Sequence, residues 1–141
     1  MDEHDAARLV EDFNCLRLPK ARWTHEAHLV VCQATLRRFD PVAALDHLRQ
    51  AIRTYNVATG GANTDTGGYH ETLTAYYVWA VHALGPVSLD ELVSHPACAR
   101  EAPASHWSRE RLFSVAARRA WVPPDLAPLR SSALQGLHRD T

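Results

Sequence analysis

The residues best suited to chemistry are histidines and glutamates that occur together in two short segments. The sequence reads W-T-H-E-A-H over residues 23–28 and G-Y-H-E-T over residues 68–72, each at the predicted start of a helix. If these helix starts pack together, the imidazoles of His25, His28 and His70 meet in one place. Three imidazoles with one open position form a common catalytic metal site. The pattern therefore predicts a divalent transition metal, with zinc, iron or copper favoured.

The two glutamates have more than one predicted role. Glu26 and Glu71 are the predicted acid/base residues, because a carboxylate beside a metal can act on bound water or on a substrate proton. Each glutamate is also a candidate metal ligand or helix-capping group. Adjacent residues lie about 100° apart around a helix, so neither glutamate points with its neighbouring histidine. H-E-A-H is looser than the protease motif H-E-x-x-H, and structurally hydrogen-bonded histidines are the alternative interpretation.

Polar residues near the predicted site could hold a substrate. Arg53 and Asn56 end the predicted third helix, Asn63 and Thr66 belong to the glycine-rich loop that follows, and Tyr69 stands at the predicted start of the fourth helix. An arginine there could clamp a carboxylate or phosphate, or it could complement the helix C-terminus. The loop residues could orient a ligand or organise turns. The loop lacks the lysine of a phosphate-binding loop.

Helices are the elements that must position these residues. Apolar residues at helical spacing, with capping residues and prolines, predict an all-α bundle with four main helices and shorter C-terminal ones. The chain is predicted to be one domain over residues 1–141, with a loosely ordered tail from about residue 131. The main helices are predicted at 2–14, 24–38, 41–55 and 69–84.

Composition limits the classes of partner. The 141 residues are 46% hydrophobic and 22% charged, with nine histidines and a net charge of −1. This balance does not favour nucleic acid, and no run approaches the roughly 20 apolar residues that span a membrane. The N-terminus is acidic and does not resemble a signal peptide, and the three cysteines form no disulfide pattern. A cytoplasmic protein with reduced thiols is predicted.

Several blocks of the sequence resemble a family of small bacterial proteins that have no assigned activity. The blocks are W-T-H-E-A-H-L, I-R-T-Y-N, N-T-D-T-G-G-Y-H-E-T-L-T, S-R-E-R-L-F-S and P-D-L-A-P-L, and the resemblance spans about residues 13–130. It implies a functional site but supplies no reaction. The residues to which it points are His25, His28, His70 and Glu71, with Arg53 and Asn56 as neighbours.

Three hypotheses follow. The first is a metal-dependent enzyme that acts on a small polar or anionic substrate through a three-histidine site. The second is a metal-free sensor or accessory protein that binds a small anionic ligand through Arg53, His25 and His70. The third is a scaffold that forms a homodimer through its apolar helices.

Overall fold

The computed structural model describes residues 1–129, which form helices and no strand. The predicted all-α class, with four long helices followed by shorter ones, is confirmed. Three short 3-10 turns connect the helices, at Lys20–Arg22, Pro96–Cys98 and Ala102–Ser105. The helices are α1 (Glu3–Asn14), α2 (His25–Leu36), α3 (Pro41–Ala58), α4 (Glu71–Leu84), α5 (Leu89–Ser94), α6 (Arg109–Leu112) and α7 (Val115–Arg119).

Side-chain caps fix where the helices of the site begin. The Thr24 hydroxyl accepts from the backbone N–H of Ala27 at 3.2 Å and starts α2. Asp40 accepts from the N–H of Ala43 at 2.9 Å and starts α3, with Pro41 at the first helical position. These caps satisfy amide groups that have no partner inside the helix, which is why the sequence located both helix starts closely.

The start of α4 differs from the prediction. The helix begins at Glu71 rather than at Tyr69, because His70 is its N-cap residue. The His70 backbone is extended, and its ring Nδ1 accepts from the N–H of Leu73 at 3.1 Å. Histidine is an uncommon cap, so capping preferences alone did not locate this boundary.

The helices α2 and α4 lie at the centre of the fold. They pack against each other and both pack against α3, while α1 and α5 cover other sides of α2. In α2, Ala27 and the four residues from Leu29 to Cys32 are buried. Buried apolar residues from all four long helices belong to one core cluster. Among the described residues, no helix combines the length and the apolar character needed to cross a membrane.

The C-terminal segment wraps across α4. Trp107 is fully buried, and its indole N–H donates to the carbonyl of Val122 at 3.0 Å. The buried Thr72 hydroxyl on α4 lies 2.8 Å from the carbonyl of Ala117 and 3.0 Å from that of Ala120. These contacts hold α7 against the start of α4. The predicted loosely ordered tail lies outside the described residues.

Candidate functional site

One pocket lies between the start of α2, the end of α3, the start of α4 and the segment after α5. Its volume is about 410 Å³, which is within the range of small-ligand pockets. Its walls are mainly aromatic and aliphatic, and three histidines are among the residues that line it. Lining residues from the two predicted segments are Trp23, His25, His28, Gly68, Tyr69 and His70.

His28 lines this pocket and has one ring nitrogen without a hydrogen bond to the described residues. Its ring stacks on Trp23 with centroids 3.7 Å apart, and Nδ1 lies 2.7 Å from the backbone oxygen of Thr24. A carbonyl oxygen only accepts, so Nδ1 carries the proton and Nε2 keeps its lone pair. Desolvation by the pocket walls lowers the pKa of His28; its hydrogen bond to Thr24 opposes this, while His25 and Arg100 add to it. By solvent accessibility the His28 residue is nonetheless exposed, and the lowered pKa leaves its ring neutral near pH 7.

His70 has both ring nitrogens engaged. Nδ1 accepts from the backbone N–H of Leu73, so Nε2 carries the proton and donates to the carbonyl of Leu112 at 2.6 Å. Burial lowers the pKa of His70, although the hydrogen bond to Leu112 acts in the opposite direction. In this arrangement the ring has no lone pair left for a metal. The contacts of His70 are those of a structurally hydrogen-bonded histidine, which is the alternative interpretation of the sequence pattern.

His25, at the start of α2, forms a hydrogen bond with the segment that follows α5. Its Nε2 lies 2.7 Å from the backbone oxygen of Cys98 and therefore donates to it. The ring also contacts the edge of Tyr77, with centroids 5.1 Å apart. Its Nδ1 is the nitrogen that keeps a lone pair when the ring is neutral. His25 thus fixes the connection that follows α5 beside the pocket.

Glu71 lies in a charged network behind the pocket. Arg49 on α3 donates to both of its carboxylate oxygens, through Nε at 2.9 Å and through a terminal nitrogen at 2.8 Å. The Tyr69 hydroxyl donates to the same carboxylate at 2.7 Å. Burial and the Glu71 carboxylate raise the pKa of Tyr69, so its phenol stays protonated as a donor. Glu71 does not line the pocket, and Glu26 is exposed in the first turn of α2.

Asn63 organises the loop that carries Tyr69. Its side-chain oxygen accepts from Asn56 at 3.0 Å and from the Tyr69 N–H at 3.1 Å, and its amide donates to the carbonyl of Arg53 at 3.0 Å. The Arg53 guanidinium lies over the Tyr69 ring, 6.0 Å from its centroid, and is exposed outside the pocket. Thr66 is exposed and its N–H donates to another loop residue. Of these five predicted substrate-binding residues, Asn56 and Tyr69 line the pocket.

The sequence interpretation missed three arginines near the site. Arg49 pairs with Glu71, and Arg118 donates to the backbone oxygens of Gly68 and Tyr69 at 3.1 and 3.3 Å. Arg100 lines the pocket itself. No local pattern could have identified the role of Arg118, because its loop partners are about 50 positions away in sequence. Arg100 follows a segment without helical periodicity, so no local pattern could have identified it.

The predicted metal site stays a prediction. No group of three or more histidine, cysteine, aspartate or glutamate side chains among residues 1–129 is arranged to hold a metal ion. Cys32 lines the pocket, but its buried thiol lies 3.7 Å from the carbonyl of Tyr77. Burial raises the pKa of that thiol, with nearby Cys98 adding to the effect, so it stays protonated and is a poor ligand.

Comparisons with models of known protein families, with curated proteins and with solved structures find no match to this chain. The resemblance to the family of small bacterial proteins therefore remains a prediction from the sequence blocks.

Proposed function

We propose that the pocket binds a small organic ligand without a bound metal, and that His28 exchanges a hydrogen bond or a proton with it. The observation that carries this proposal is the His28 ring, which lines the pocket, has Nδ1 committed to Thr24 and leaves Nε2 without a hydrogen bond to any residue between 1 and 129. The aromatic and aliphatic lining provides apolar area for the rest of such a ligand. A concave, mostly apolar pocket with few polar groups is the usual form of a small-ligand site.

The chemistry open to His28 is that of a hydrogen-bond acceptor or general base. A neutral imidazole accepts a proton from a bound ligand when the proton lies within hydrogen-bond reach of its free nitrogen. The backbone oxygen of Thr24 fixes the tautomer and orients the ring. An enzyme built on this pocket would use His28 for proton transfer. A sensor or accessory protein would use the same nitrogen to recognise a donor group.

A metal-dependent enzyme is the second candidate. It is favoured by one observation, that His25, His28 and His70 all line the same pocket. A three-histidine site would require His70 to give up its hydrogen bond with Leu73 and, if Nε2 bound the metal, its hydrogen bond with Leu112 as well. Elemental analysis of protein prepared without a histidine tag separates the two candidates. Near-stoichiometric metal that is lost in a His70→Ala variant would favour the enzyme with a metal.

A pocket-blocking substitution tests the proposed binding function. Leu73 lines the pocket and is half-buried, so a Leu73→Trp variant is expected to fill part of the volume and to abolish binding of small ligands. Binding is measured by protein-observed NMR with a library of organic fragments and metal-free protein. Fragments that bind are expected to shift the signals of His28 and Tyr77.

The matched control is Val57→Trp. Val57 lies on α3 and is exposed, outside the pocket lining, so this variant should bind the same fragments as the unmodified protein. The proposal fails if no fragment shifts the pocket signals, or if both tryptophan variants bind fragments equally well.

The cytoplasmic location and the homodimer belong to the same set of proposals, and size-exclusion chromatography with light scattering tests the homodimer.

A further inference from the structure

Arg100 is a cation at the pocket that no other role accounts for. It lines the pocket beside His28, and its guanidinium has no hydrogen bond or ion pair with another residue between 1 and 129. The adjacent Glu101 is the acidic residue nearest to it in sequence, and the two form no salt bridge. The other arginine predicted for ligand binding, Arg53, lies outside the pocket over the Tyr69 ring.

The backbone that leads to Arg100 is held by side chains from two long helices. The Tyr76 hydroxyl donates to the carbonyl of Ala97 at 2.7 Å, and His25 donates to that of Cys98 at 2.7 Å. The Tyr77 hydroxyl lies 2.8 Å from the carbonyl of Ala99 and 3.1 Å from that of Arg100. Three side chains of α2 and α4 therefore hold this stretch of four carbonyls, with the single Tyr77 proton shared between the last two. Such anchoring lowers the conformational entropy that is lost when a ligand binds.

The lining next to Arg100 suits a flat apolar group. Trp23, Tyr77 and the His28 ring provide aromatic surface, and Leu48 and Ile52 provide aliphatic surface. An aromatic ring can stack or pack edge-on against such walls. A ligand that used both features would need a flat hydrophobic body and one negative charge at its edge.

We propose that the ligand class of this pocket is a small aromatic carboxylic acid, with Arg100 binding the carboxylate and the aromatic walls holding the ring. A single guanidinium matches one carboxylate through two parallel hydrogen bonds. A phosphate dianion fits less well, because the pocket has one free arginine and otherwise largely apolar walls. This inference rests on the proposed function and adds the ligand class and the residue that selects it.

The test compares two probes that differ in charge but hardly in shape. Indole-3-acetate and its neutral analogue indole-3-acetamide are titrated into the full-length, metal-free protein, and binding is followed by NMR. The acetate is expected to bind at least about tenfold more tightly than the amide, since a charge-assisted pair is lost in the amide. In an Arg100→Gln variant this preference is expected to disappear, so that the two probes bind with about equal affinity.

Two variants serve as controls. Arg53→Gln removes an exposed arginine outside the pocket and should keep the full preference for the acetate. Arg100→Lys keeps the charge but not the bidentate geometry, and should give an intermediate preference. Arg100 is exposed, so its replacement leaves the fold intact, which circular dichroism checks.

The titrations distinguish a wrong ligand class from a pocket that binds no ligand. The inference is overturned if Arg100→Gln keeps the preference, if Arg53→Gln removes it, or if both probes fail to bind while other fragments occupy the pocket. If no fragment of any class binds, the proposed function itself fails. The two failures are therefore distinguishable in one set of titrations.

Discussion

Replacing Gly68 with alanine is expected to destabilise the protein by about 3 kcal/mol or more. Gly68 has φ of +82°, and a Cβ there would lie 2.3 Å from the backbone oxygen of Ala62 and 2.9 Å from the Cα of Asn63. The left-handed conformation alone costs an alanine about 1–2 kcal/mol. The clash is with backbone atoms, which cannot turn aside as a flexible side chain would, so strain adds to that cost. Urea unfolding followed by tryptophan fluorescence measures the loss.

Gly60→Ala is the matched control for this change. Gly60 also has a positive φ, of +91°, but a Cβ there would meet nothing within 4 Å. The control should show only the conformational cost, about 1–2 kcal/mol. Equal losses in the two variants would mean that the close packing of the loop against Gly68 is not as described. The comparison bears on the site because Gly68 immediately precedes Tyr69 and His70.

Replacing Arg49 with methionine is expected to cost about 2–3 kcal/mol. The Glu71 side chain is only 10% exposed, and it would lose the cation that donates to both of its oxygens. Leaving a nearly buried carboxylate without its partner is more costly than losing an exposed ion pair. The Arg49 side chain is 38% exposed, which places the expected loss below that of a fully buried pair. Urea unfolding again gives the change in free energy.

A double-mutant cycle tests the pairing itself. In Arg49→Met/Glu71→Gln the remaining group is neutral and still accepts from the Tyr69 hydroxyl, so the combined loss should be at least about 1 kcal/mol smaller than the sum of the single losses. Asp46→Asn removes the other, exposed partner of Arg49 and should cost no more than about 0.5 kcal/mol. Additive single losses would contradict the network.

The same cycle addresses the predicted acid/base role of Glu71. A glutamate that served only as a general base would lose function on conversion to glutamine without a large loss of stability. If Glu71 instead joins α3 to α4, its conversion to glutamine should lower the free energy of unfolding of the protein. The hydrogen bonds from Arg49 and Tyr69 favour the second outcome.

The parts of the fold that the sequence predicted well are governed by local chemistry. The Thr24 cap and the Asp40–Pro41 pair act within one turn of the helix they start, so a pattern of neighbouring residues identifies them. The all-helical class follows from apolar spacing along each segment. In the structure α4 starts two residues later than the sequence predicts, because an imidazole performs the capping that serine, threonine or aspartate usually performs.

The contacts of the site depend on partners that are distant in sequence. Arg49 and Glu71 are 22 positions apart, and His25 and Cys98 are 73 apart. The sequence pattern could predict that His70 lies near the other histidines. It could not predict that Nε2 of His70 would donate to the carbonyl of Leu112, which is 42 positions away. The state of each ring nitrogen follows from tertiary contacts, which decide between metal ligand, base and structural anchor.

The most direct test of the proposed site is the long-range ¹H–¹⁵N NMR spectrum of the histidine rings. It is recorded on untagged, metal-free protein at pH 7, before and after saturation with a fragment that occupies the pocket. We predict that free His28 is neutral with its proton on Nδ1, that its Nε2 signal moves when the fragment binds, and that His70 keeps its proton on Nε2 throughout. An Nε2 signal of His28 that does not respond to a fragment in the pocket, or a His28 ring that carries its proton on Nε2, would contradict the account.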